Sequence, residues 1–271
     1  MTILDSAFMA FYRRLGRTGA TELNLKATTS LARGIHIDTL EPRILLSADL
    51  IPVAGTIDVP GETDFFSFEL AESRQLIFDA LTPSPQITWA LSGEGGAIVS
   101  PTTFNQSDGA QGGEIIALDA GTYTLTVDGQ GDQTGDYSFR LLNASNAQNL
   151  TPGTRVDGSL ANGGRETSLY QFDAEVGTDL VFNAQAQSGG TAYWELIDPD
   201  GETVFGPVNF APGSNLDRFT TQKAGTYTLL FEGYLGNSTD LDYGFTLNQV
   251  VDRTSPMTLD TPVFGTFDQP A

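Results

Sequence analysis

The eleven residues DAGTYTLTVDG at 119–129 recur as KAGTYTLLFEG at 223–233, 104 positions further along a chain of 271 residues. In both strings apolar residues stand two apart: Tyr123, Leu125 and Val127 in the first, Tyr227, Leu229 and Phe231 in the second. That is the period of a strand with one face on a core. The same offset of 104 joins TDFFSFELAESRQLIFDA at 63–80 to TSLYQFDAEVGTDLVFNA at 167–184. ITWAL at 87–91 answers AYWEL at 192–196, and DYSFRL at 136–141 answers DYGFTL at 242–247. The chain therefore holds two tandem copies of one module. Alternation puts Phe66, Phe68, Leu76, Phe78, Trp89, Leu91, Phe139 and Leu141 in the first core, and Tyr170, Phe172, Leu180, Phe182, Trp194, Leu196, Phe245 and Leu247 in the second. About seven or eight short strands per copy, separated by Gly, Pro, Asn and Asp turns, predict an all-β chain of two tandem antiparallel β-sandwiches, jelly-roll or immunoglobulin-like.

Outward from this pair, the expected boundaries are a sandwich over 51–145, a polar linker over 146–152 and a second sandwich over 153–250. Gly55, Gly158 and Gly265 open GTIDVPGETD, GSLANGGRET and GTFDQPA, so 251–271 reads as the start of a third copy, and the chain as the front of a longer polypeptide. Residues 1–50 differ: six basic against five acidic side chains, whereas 51–271 carry seven against 29. Ile3, Leu4, Ala7, Phe8, Phe11, Tyr12 and Leu15 recur at helical spacing, ahead of Arg13, Arg14 and Arg17, which predicts a short amphipathic helix in a loosely ordered N-terminal region. Its charges follow its apolar residues, unlike a secretory signal peptide. No apolar run is long enough for a membrane-spanning helix.

Composition narrows the chemistry. The net charge is −21, so phosphate backbones are poor partners, while a divalent cation such as calcium is a sensible one. With no cysteine and His36 the single histidine, thiolate nucleophiles, zinc-thiolate sites and histidine triads are excluded, and a non-enzymatic chain is expected. Carboxylates are what remains. Asp58, Glu62 and Asp64 surround the start of a strand in copy one and are the tentative calcium ligands, since calcium takes several oxygens from loop side chains and carbonyls. In copy two DPDGE at 198–202 reads as a tight turn or a second acidic loop. Tyr123 and Tyr227 each follow a Gly by two and open a strand. They predict structural tyrosine corners, with ligand-binding tyrosines as the rival reading. Trp89 and Trp194 lie in alternating apolar runs, which favours the core over sugar platforms.

Two resemblances rest on these residues. LEPRILLSA at 40–48 resembles the LEPR-XLL motif of very large, repeat-rich bacterial proteins thought to be exported or surface-displayed, matching it at Leu40, Glu41, Pro42, Arg43, Leu45 and Leu46. The resemblance implies a sorting or processing role for that string. Residues 51–249 are similar to the bacterial pre-peptidase C-terminal domain, a β-sandwich appended to secreted proteases, through GTIDVPGETDFFSFEL at 55–70, DPDGETVF at 198–205 and the AGTYTL strands. Some members bind calcium and some bind matrix polymers. Copy one keeps Asp64 of the family's acidic opening with Glu62 in place of an Asp; copy two has Glu166 and Ser168 there. The resulting expectation is a non-catalytic spacer and adhesive module of an exported or cell-surface bacterial protein, meeting an extracellular polymer or surface component. The alternative is an accessory domain pair of a secreted protease or glycosidase whose catalytic domain lies outside this chain.

Overall fold

The computed structural model describes residues 43–44, 52–108, 115–213, 216–252 and 254–265. The expected N-terminal helix and Leu40, Glu41, Pro42, Leu45 and Leu46 lie outside these residues. Among the described residues are 18 strands. The first repeat holds β1 (Arg43–Ile44), β2 (Val53–Ile57), β3 (Thr63–Leu70), β4 (Arg74–Ala80), β5 (Ile87–Gly93), β6 (Gly96–Thr103), β7 (Ile115–Leu118), β8 (Gly121–Gly129) and β9 (Gly135–Asn143). The second holds β10 (Gln148–Asn149), β11 (Arg155–Leu160), β12 (Thr167–Ala174), β13 (Asp179–Ser188), β14 (Ala192–Ile197), β15 (Thr203–Phe210), β16 (Phe219–Thr220), β17 (Gly225–Gly233) and β18 (Leu241–Gln249).

Each repeat forms a five-stranded and a four-stranded sheet. The orders are β1-β3-β8-β5-β6 with β2-β9-β4-β7, and β10-β12-β17-β14-β15 with β11-β18-β13-β16. The antiparallel pairs are nested: β5 with β6, β4 with β7, β3 with β8 and β2 with β9. The second repeat nests β14 with β15, β13 with β16, β12 with β17 and β11 with β18. One long ribbon folded across two sheets is a jelly roll, which decides between the two expected sandwich types.

Registers confirm the repeat. Phe68 pairs with Tyr123 and Phe172 with Tyr227; Trp89 pairs with Val127 and Trp194 with Phe231. Gly55 lies opposite Tyr137 and Gly158 opposite Tyr243. A Cβ at either glycine would overlap the tyrosine ring lying across it, so these positions exclude any side chain. The recurrence of glycine at the start of the two sandwiches has this cause.

The structure corrects two boundaries. Gln148–Asn149, within the expected linker, pairs in parallel with Tyr170–Gln171, and Leu150 is buried in the second core. Arg43–Ile44 does the same beside Phe66–Ser67 in the first repeat. Each jelly roll thus begins with a short parallel edge strand, and a two-residue strand is too short to show a period. The described residues of 251–265 contain no strand, and Val251, Met257, Leu259, Val263 and Phe264 there are exposed.

The two sandwiches stack. Besides one core within each repeat, a third apolar cluster joins Ile77, Leu142 and Ala144 of the first to Ile197 and Leu230 of the second, with Ile115 and Leu169 beside it. These residues point away from their own cores: Ile77 and Leu142 lie on the outer face of the first four-stranded sheet, Leu230 and Ile197 on the outer face of the second five-stranded sheet. Four sheets therefore lie face to face in a row. Covering each such aliphatic side chain is worth roughly 1.5–3 kcal/mol relative to leaving it exposed. Leu235, from the loop after β17, reaches into the first repeat's core cluster and fastens the same junction.

Candidate functional site

The loop between β2 and β3 holds the tentative calcium ligands. Glu62 Oε2 accepts the backbone N–H groups of Asp58 at 2.6 Å and Val59 at 3.0 Å, closing the turn. Glu166 occupies the same place in the second repeat, accepting from the Ala161 N–H at 3.3 Å and from the Asn162 amide at 2.5 Å. The shared role of this pair is to fasten a turn. Asp64 accepts the hydroxyl of Tyr137. Where the second repeat has Ser168 in place of Asp64, it has Tyr170 in place of Phe66, and the Tyr170 and Tyr243 hydroxyls bond each other at 2.6 Å. The two changes offset one another, so Tyr137 and Tyr243 both keep a partner. The turn brings Asp58 and Glu62 together and leaves Asp64 to the tyrosine. Among the described residues no group of three or more acidic or histidine side chains surrounds a common centre fit for a metal.

The tyrosine corners have the expected geometry. Tyr123 donates to the Asp119 carbonyl at 2.8 Å and Tyr227 to the Lys223 carbonyl at 2.9 Å, each four residues back. Each ring stacks on the phenylalanine across the sheet, Phe68 or Phe172, at a centroid distance of 5.5 Å. Both tryptophans are core residues. Trp89 stacks on Phe78 at 3.9 Å and donates to Ser107 at 2.7 Å, and Trp194 is fully buried. DPDGE is a tight turn: Asp198 Oδ1 accepts the N–H groups of Asp200 and Glu202, Gly201 takes φ +91°, and Lys223 lies between the Asp198 and Asp200 carboxylates at 2.5 and 2.7 Å.

The concentration of charge that no sequence motif marked is at the junction between sandwiches. Asp79 of β4, Arg140 of β9, Glu195 of β14 and Glu232 of β17 are buried there, with Asp108 from the loop after Phe104–Gln106. Arg140 is bonded to Asp79, donates to the Thr167 carbonyl at 2.8 Å and stands 3.7 Å from Glu166. Asp108 accepts the Ala80 N–H at 2.8 Å, and Glu195 accepts the Thr203 hydroxyl at 2.8 Å. Among the described residues neither carboxylate oxygen of Glu232 meets a donor. Burial first, then the charges of Glu195 and Asp79, hold the Glu232 carboxyl well above the usual carboxylate range. Burial likewise raises Asp79, against the pull of Arg140. Elsewhere along the junction a cleft of about 390 Å³ is lined by Ser73, Arg74 and Gln75 of the first repeat and Gln171, Thr226 and Thr228 of the second, among others.

No protein-family model and no curated protein matches the chain. Among solved structures it is similar to PliG of Aeromonas hydrophila, a periplasmic inhibitor of g-type lysozyme, at 10% identity and TM-score 0.32, over 38% of this chain and 96% of that one. It is also similar to the CUB1-EGF-CUB2 domains of human MASP-1/3, at 10% identity and TM-score 0.25, over 73% and 99% of the two chains. The corresponding rat MASP-1 domains stand at 9% identity and TM-score 0.25, over 72% and 97%. At these scores the likenesses carry neither fold nor function. The strand order carries the fold by itself.

Proposed function

We propose that the chain is a non-catalytic segment of a large exported or cell-surface bacterial protein, its stacked jelly rolls serving as spacer and binding module for an extracellular polymer or surface component. The observation that carries this reading is the sheet-to-sheet junction: a buried apolar cluster holds the two modules in one orientation, which a spacer requires and a flexible string of domains lacks. The polar cleft along the junction suits a hydroxyl-rich chain better than a small apolar ligand, whose pockets are mostly hydrophobic. Support for export comes from the resemblance of residues 40–48 to the LEPR-XLL string and of residues 51–249 to domains appended to secreted proteins. No helix among the described residues is long and apolar enough to cross a membrane. Protease shaving of intact producing cells tests the location: peptides from 52–250 released before lysis support the proposal, and release only after lysis overturns it. Co-sedimentation with insoluble cell-wall polysaccharide tests the binding role.

A further inference from the structure

The junction buries more acid than base. Asp79, Asp108, Glu195 and Glu232 are 0, 3, 4 and 0% exposed, and Arg140, at 6%, is the buried cation that accompanies them among the described residues. Its guanidinium is committed to Asp79, the Thr167 carbonyl and Glu166. Arg165, half-buried nearby, gives its N–H groups to the carbonyls of Asn237 and Leu81. Glu232, fully buried, is thus left with two oxygens that find no donor among the described residues. A carboxylate cannot be left so, but a carboxylic acid can, because its proton is the missing donor and a neighbouring carboxylate the acceptor. Asp108 lies within hydrogen-bond reach of Glu232, so one proton can bridge the two carboxyls, and Glu195 and Asp79 are close enough to act on it electrostatically.

We propose that the junction is a proton-operated latch: the sandwiches are held face to face while Glu232 carries a proton and shares it with the carboxyl cluster, and they loosen when that proton is lost. The groups acting on Glu232 are Glu195 from β14 and Asp79 from β4, which raise it by charge, and Asp108 from its loop, whose hydrogen bond lowers it; Arg140 from β9 is bonded to Asp79, and Glu166 beside β12 stands near Arg140. Burial is the largest effect raising the Glu232 carboxyl. The sign follows from that. The folded state holds a proton that the unfolded chain, with an ordinary glutamate near about 4.3, releases earlier. The latch's contribution is therefore complete below that value and is lost as pH rises through the higher folded value. The inference does not depend on where the protein is located.

The test uses the full chain, whose lack of cysteine lets one label be placed on each sandwich, at Gln133→Cys and Glu175→Cys, both exposed positions. The inter-label distance should be narrowly distributed at pH 5 and broaden at pH 9, whereas with Glu232→Gln added it should stay narrow at both. In thermal melts Glu232→Gln should exceed the parent by about 4 °C or more at pH 8 and match it at pH 4. If that variant does not fold, Glu195→Gln, which removes a neighbouring negative charge that helps Glu232 keep its proton, should move the onset of broadening to lower pH. Equal broadening in parent and variant, or a variant less stable at every pH, overturns the latch. So does calcium narrowing the distribution at pH 9 in the parent and not in Glu232→Gln, which would make the cluster a cation site instead.

Discussion

Strands β8 and β17 share the string AGTYTL and occupy the same place in their sandwiches. Yet β8 alternates between buried and half-exposed residues, while β17 is buried on both faces from Tyr227 to Gly233. The difference lies in the residues that face outward. Thr126 and Asp128 of β8 become Leu230 and Glu232 in β17, and Ala90 and Ser92 of β5 become Glu195 and Ile197 in β14. On the other sheets the exchange runs the opposite way. Ile77, Asp79, Arg140 and Leu142 of the first repeat become Val181, Asn183, Thr246 and Asn248 of the second. Each repeat keeps its own core and differs on the one face that meets the other repeat. The two faces left at the ends of the row are polar, as terminal members of a stack must be to stay in water.

The largest effect expected from this comparison comes from exchanging the paired residues. Leu230→Thr, which places the first repeat's residue in the second, should cost about 2–4 kcal/mol by emptying a fully buried site. Thr126→Leu should stay within about 0.5 kcal/mol, because nothing among the described residues covers that face. Urea unfolding measures both, and similar costs would break the claim that the junction makes the difference. Next come Gly55→Ala and Gly158→Ala. Each adds a methyl group against a tyrosine ring and should cost about 1–3 kcal/mol, equally in the two repeats, since the contact lies inside each module.

Smaller still are Tyr123→Phe and Tyr227→Phe, each removing a hydrogen bond to a backbone carbonyl, and in Tyr227→Phe also the long bond accepted from the Lys223 N–H at 3.3 Å. About 1 kcal/mol apiece is expected from thermal melts, and a clear inequality would mean that one corner does more than pin its loop. The smallest effect concerns calcium at Asp58, Glu62 and Asp64, which stands as a proposal. If the ion binds, melting rises beyond the increment given by sodium at equal ionic strength, and Asp64→Asn removes the difference; an equal response to both salts reduces the loop to a fastened turn.

Much of this was legible in the chain. The offset of 104, the tyrosine corners and the burial of both tryptophans follow from alternation and from the recurrence of Gly before Tyr. The junction had a signal too: Leu76-Ile77-Phe78, Leu141-Leu142 and Leu229-Leu230-Phe231 break alternation with consecutive apolar residues, as strands covered on both faces do. The charged members had none. Asp79, Arg140, Glu195 and Glu232 stand where an alternating strand normally meets water, and as local strings they cannot be told from Asp128 or Glu69.

Sequence alone determined which residues form strands, which face of each strand makes its own core, and that the pattern occurs twice. Those properties depend on a period of two and on turn chemistry, both written within a few neighbouring residues. Tertiary structure decided that the ribbon rolls into a jelly roll rather than an immunoglobulin-like sandwich. It also decided that Gln148–Asn149 joins the second sandwich and that one outer face of each repeat is covered by the other. The physical reason is that a second layer acts on a strand from residues distant along the chain. A glutamate's neighbours in sequence do not reveal whether water or another sheet lies above it.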